Sequence, residues 1–101
     1  MELSTLEQHT MLAIIALGSN AYGVAIVDQI NRQTGREPSI GGVYAALDRL
    51  EKRGFAKSKH GEATAERGGR RKLYFSVTAS GEKALREERR ALDASWQGAL
   101  A

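Results

Sequence analysis

The sequence predicts a mainly α-helical domain with one small β-hairpin. Three observations predict it. Apolar residues recur at three- and four-residue steps in four segments, the period of helices buried along one face. One segment, Leu73–Val77, alternates apolar and polar residues instead, the period of a half-buried strand. Gly, Asn and Pro fall between the segments, where the chain has to turn.

Thr5–Leu17 reads as the first helix, with Leu6, Met11, Ile14, Ile15 and Leu17 on its buried side and Gly18-Ser19-Asn20 as its stop. Tyr22–Gln33 reads as the second, with Tyr22, Ile26, Val27 and Ile30 inward. Thr34–Pro38 must turn, because Pro38 lacks an amide donor and biases Glu37 away from helix. Ser39 is a good N-cap for a third helix whose apolar stripe is Ile40, Val43, Tyr44, Leu47 and Leu50. Its other side offers Gly41, Gly42, Ala45, Asp48, Arg49 and Lys52. The two glycines each lower helix propensity by up to ~1 kcal/mol relative to Ala. Either something must approach the backbone there, or they ease the turn after Pro38. Gly54 is placed to end this helix.

Phe55–His60 and Lys72–Val77 read as two strands joined by the polar, glycine-bearing tip Gly61–Arg71. Thr78 can cap a last helix from Ala79 to about Leu100. Its apolar positions are Ala84, Leu85, Ala91, Leu92, Trp96 and Ala99 or Leu100, and Glu82–Arg86 is a favourable i,i+4 pair. So small a domain cannot cover such a stripe, and a second copy of the chain is the simplest partner. Leu85, Leu92 and Trp96 are therefore candidate interface residues. Three helices, a two-stranded wing and a final helix describe a winged helix-turn-helix over residues 1–78 with a dimerisation helix over 79–101.

The 101 residues suffice for one domain with a modest core. No stretch approaches the roughly 18 apolar residues of a membrane span. The start, MELSTLEQHT, lacks the basic opening of a secretory signal. A cytoplasmic protein with no membrane partner is expected. Without cysteine there is no disulfide, thiolate zinc site or cysteine nucleophile. His9 and His60 fall on different elements and read as surface histidines, so no enzyme, metal or cofactor is expected.

Net charge is +3, and its distribution is more telling than its total. Residues 1–51 carry −3, residues 52–72 carry +6, and residues 73–101 balance. A local basic patch is the electrostatic footprint of a polyanion.

Four motifs in order resemble the PadR family of transcriptional regulators, in its short form with one C-terminal helix. Ala21-Tyr22-Gly23-Val24-Ala25-Ile26 resembles the family's LYGYEI. Ser39-Ile40-Gly41-Gly42-Val43-Tyr44-Ala45-Ala46-Leu47 resembles S-x-G-T-L-Y-P-A-L. Leu50-Glu51-Lys52-Arg53-Gly54-Phe55 resembles L-E-x-x-G-L, and Gly69–Gly81 resembles G-R-x-R-K-Y-Y-x-L-T-x-x-G. Gly42 stands where Thr is usual, Ala45 where Pro is usual and Val24 where a second Tyr is usual, so the family's operator preference does not carry over.

The resemblance implies a homodimeric, sequence-specific duplex-DNA binder, a repressor as most of the family are. Paired third helices would enter major grooves ~34–36 Å apart on a pseudo-palindrome. Ser39, Gly41, Gly42 and Ala45 would lie nearest the DNA. The family's matching tyrosine reaches DNA by its hydroxyl, so Tyr44 is expected with its ring packed inside and its hydroxyl outward. Arg49 serves a phosphate or pairs with a carboxylate. The wing cations Arg67, Arg70, Arg71 and Lys72 would neutralise phosphates. Trp96 either packs the dimer or, as the resemblance to some short members implies, lines a cavity for a small aromatic effector. The competing functions are a winged-helix protein-interaction module and a nonspecific nucleic-acid binder.

Overall fold

The computed structural model describes residues 2–61 and 72–100. Most of the expected wing tip, with Arg67, Arg70 and Arg71, lies outside them. The order is α1 (Thr5–Leu17), a 3-10 turn (Gly18–Asn20), α2 (Gly23–Thr34), α3 (Ile40–Lys52), β1 (Ala56–His60), β2 (Leu73–Val77) and α4 (Ala79–Ala99). The fold is the winged helix-turn-helix with a C-terminal helix that the periodicity predicts.

Local chemistry fixes the helix ends. Ser4 and Glu7 form a reciprocal capping box at α1, satisfying two amides that the first turn leaves unpaired. Ser39 accepts from the Gly42 amide at 2.9 Å and starts α3. α3 ends in a Schellman motif: Gly54 has φ 76°, which a side chain would resist, and Phe55 N donates to Leu50 O at 2.9 Å. The Thr78 hydroxyl accepts from Gly81 N at 3.1 Å and donates to Gly54 O at 2.7 Å, so one residue both caps α4 and ties it to the end of α3.

The wing strands pair antiparallel, from Ala56 opposite Val77 to His60 opposite Leu73. Phe75 N donates to Ala21 O at 2.8 Å, and Tyr22 bridges Tyr74. The chain entering α2 thus pairs with the free edge of β2, which fixes the wing beside the helix-turn-helix.

One core cluster joins Ile14, Ile26, Ile30, Val43, Leu47 and Phe75 across α1, α2, α3 and β2. A second, of Leu3, Met11, Leu50 and Ala56, takes Ala84 and Leu85 of α4 against it. The buried stripes are narrower than expected. Ile15 is 48% exposed, and on α3 Ile40 and Tyr44 are 44% and 48% exposed while Ala46 is buried. The 100° step per residue explains this: Val43, Ala46, Leu47 and Leu50 already fill the inward face, leaving Ile40 and Tyr44 at its edge. Beyond Glu88, α4 leaves the domain, and every residue from Arg89 to Leu100 is exposed. Among the described residues, no helix is long and apolar enough to cross a membrane.

Candidate nucleic-acid interface

The exposed face of α3 begins at its cap. Ser39 is exposed and its oxygen is engaged by the Gly42 amide, which leaves the hydroxyl hydrogen free to donate. Neither Gly41 nor Gly42 has positive φ, so the turn after Pro38 does not require them. A Cβ on Gly41 would meet nothing within 4 Å, whereas one on Gly42 would lie 3.0 Å from Ser39 Oγ and 3.7 Å from Leu6 Cδ2. Gly42 therefore has a packing reason, beside the cap, and Gly41 has none inside the chain.

Tyr44 differs from the expectation. Its ring lies across the start of α2, where a Cβ on Gly23 would collide with the Tyr44 hydroxyl and its ring carbon. The bare Cα of Gly23 makes room for a half-exposed ring rather than a core one. The hydroxyl end rests on α2.

Arg49 takes the carboxylate alternative. Its Nε donates to Glu7 Oε2 at 3.0 Å, and a terminal guanidinium nitrogen of Arg53 lies 3.7 Å from Glu7 Oε1. Burial pushes the Glu7 carboxyl up, but the Ser4 amide, Arg49 and the Ser4 hydroxyl outweigh it and hold the group below its ordinary value. Half of the Arg49 side chain remains exposed, so its outer guanidinium edge still faces solvent. Lys52 pairs with Asp48 at 2.9 Å on the open surface.

On the wing, Lys72 Nζ sits 3.7 Å from the centroid of the Tyr22 ring, which itself meets Tyr74 edge-on at 5.8 Å. Lys72 is thus held against the residue that opens α2. Arg67, Arg70 and Arg71 lie outside the described residues.

His9 is half-buried rather than on the open surface. Burial and the nearby Arg36 charge both lower its pKa. His60 is exposed, and no cluster of metal-ligating side chains occurs among the described residues.

At the far side, Leu12 and Ile15 of α1 and Leu85 and Leu92 of α4 floor a groove of about 420 Å³ rimmed by Gln8, Glu82, Arg86 and Arg89. Leu85 is half-buried, while Leu92 and Trp96 are 59% and 57% exposed. Trp96 does not line the groove; it lies one turn further along the helix.

Leu3 and Glu7, both buried, lie outside the residues that periodicity and motif single out. The signal for Glu7 was present: Ser4-Thr5-Leu6-Glu7 is the capping-box pattern ahead of an apolar run. Its second role, as partner of two arginines at the end of α3, has no sequence signature.

Helices α1 to α3, a wing pinned to α2 and an open first turn on α3 define a winged helix-turn-helix of the DNA-binding class. The chain belongs to the PadR family: residues 11–87 match the sequence model described as the Transcriptional regulator PadR-like family. It is a DNA-binding transcriptional regulator. A transcriptional regulator from Clostridium thermocellum is similar at 26% identity and TM-score 0.75, over 90% of this chain and 85% of that one. A PadR-like transcription factor from Bacteroides fragilis is similar at 28% identity and TM-score 0.67, over 92% and 81%. A PadR family transcription regulator from Clostridium difficile R20291 shares the fold at 24% identity and TM-score 0.72, over 97% and 100%. No curated protein matches the chain in sequence.

Proposed function

We propose that the chain is a cytoplasmic homodimeric repressor that reads a pseudo-palindromic operator and is released by a small aromatic effector. The observation that carries the DNA reading is the open start of α3, with Ser39, Gly41 and Ala45 exposed, in a chain whose next segment has net charge +6. Helix-turn-helix proteins place this part of the helix against base edges. Gly42, Tyr44 and Arg49 border that surface, and the wing cations Arg67, Arg70, Arg71 and Lys72 neutralise flanking phosphates. The exposed apolar side chains Leu12, Ile15, Leu92 and Trp96 support a second copy as the covering partner. The groove over Leu85 supports the effector, since its floor is apolar and its rim carries the polar and charged side chains of Gln8, Glu82, Arg86 and Arg89.

The test is selection from random duplex DNA. An enriched inverted repeat is expected. Uniform retention of all duplexes would make the chain a nonspecific binder, and no retention would make it a protein-interaction module.

A further inference from the structure

We propose that α3 tells base pairs apart through the C5-methyl group of thymine, with Ile40 and Ala45 as the contacting side chains. This rests on α3 being the groove helix and adds what it reads there.

Between Ser39 and Asp48 the exposed residues are Ser39, Ile40, Gly41, Tyr44, Ala45 and Asp48. None is Arg, Lys, Asn or Gln, the side chains that make paired hydrogen bonds to guanine or adenine. The polar groups present offer single hydrogen bonds rather than paired ones. Ser39 Oγ caps the Gly42 amide and keeps a single hydrogen to donate, the Tyr44 hydroxyl end lies against Gly23, and Asp48 pairs with Lys52 at 2.9 Å. What remains is apolar: the Ile40 side chain, 44% exposed in the first turn, and the Ala45 methyl.

The major groove presents one apolar group, the thymine methyl, and small aliphatic side chains contact it. On the helical wheel Ala45 lies about 40° to one side of Gly41 and Ile40 about 100° to the other, and the missing Gly41 side chain leaves the backbone between them free to come close. They stand about 7.5 Å apart along the axis, so they meet different base pairs. Ile40 neither caps α3 nor belongs to either core cluster, and a methyl contact gives its exposure a use.

The experiment takes the duplex that the full-length wild-type chain selects from a random pool and replaces each thymine in turn by deoxyuridine, which lacks only the C5-methyl. Affinity is expected to fall about fourfold per contacted methyl at one or two positions in each half-site. Ile40→Ala is expected to bind the thymine duplex more weakly and to ignore deoxyuridine at the position it contacts. Circular dichroism of the variant checks that α3 is intact. Wild-type affinity indifferent to every deoxyuridine, or an Ile40→Ala protein as sensitive as wild type, overturns the proposal. A failure of the groove-helix assignment itself looks different: the wild type then selects no duplex at all.

Discussion

Arg49 Nε and Glu7 Oε2 lie 3.0 Å apart, so a carboxylate rooted in the first turn of α1 holds the last turn of α3. Glu7 is only 4% exposed, and its other oxygen accepts from the Ser4 amide at 2.7 Å. Leu3, just before that cap, donates its amide to Glu88 of α4 at 2.9 Å. The N-terminal residues therefore connect α4 to α3 by way of α1.

Removing the Glu7 charge should destabilise the fold. Glu7→Ala leaves the Ser4 amide and two arginines without their acceptor, and a loss of about 1–3 kcal/mol is expected. The pH dependence follows from the lowered pKa. The folded value lies below the ordinary 4.5, so the contribution is fully present above 4.5 and is lost as pH falls through the folded value. Urea midpoints measured from neutral to acid pH should fall less steeply below 4.5 for Glu7→Gln than for the wild type. Equal acid limbs would show that Glu7 carries no such linkage.

Gly41 separates folding from binding. A Cβ there meets nothing within the chain, and Ala exceeds Gly in helix propensity by up to ~1 kcal/mol. Gly41→Ala should therefore be as stable as wild type or more so. If the bare backbone is needed against DNA, operator affinity should drop about tenfold, equivalent to ~1.4 kcal/mol. A more stable variant that binds DNA unchanged would remove Gly41 from the interface.

The wing should set salt dependence. Each neutralised phosphate contributes about 0.9 to the slope of log affinity against log salt. Replacing Arg70 and Arg71 by Ala should lower the slope by about 1.8, uniformly across operator sequences. Lys72→Ala should behave differently, because its ammonium also rests on the Tyr22 ring and a stability loss of about 0.5–1 kcal/mol is expected as well. Unchanged slopes in the double variant would take the wing off the phosphates.

Periodicity made the elements legible because helix and strand periods are properties of short segments. The Ser39 and Thr78 caps and the Gly54 stop were readable for the same reason. Exposure at stripe edges was not: Tyr44 looks like core by spacing, and only the contact with Gly23, distant in sequence, places its ring at the surface. The Arg49 partner is not legible in local pattern, because Glu7 lies 42 positions away. Tertiary pairing of this kind leaves no trace in local pattern.

Leu92 and Trp96 carry the homodimer proposal into a direct test. They lie one turn apart on the projecting part of α4, and each exposes more than half of its surface. Large aromatic and aliphatic side chains gain by leaving water, and a second copy offers the same apolar row in return. Leu92→Glu puts a charge into that seam, where it loses hydration without gaining a partner. Sedimentation at micromolar concentration should show dimer for wild type and monomer for the variant. Because Trp96 is the only tryptophan, its emission should shift to longer wavelength as the dimer opens. Affinity for a full inverted repeat should fall while affinity for an isolated half-site stays the same, since α3 is untouched. A wild-type chain that sediments as a monomer with solvent-exposed tryptophan emission would remove the second copy from this face.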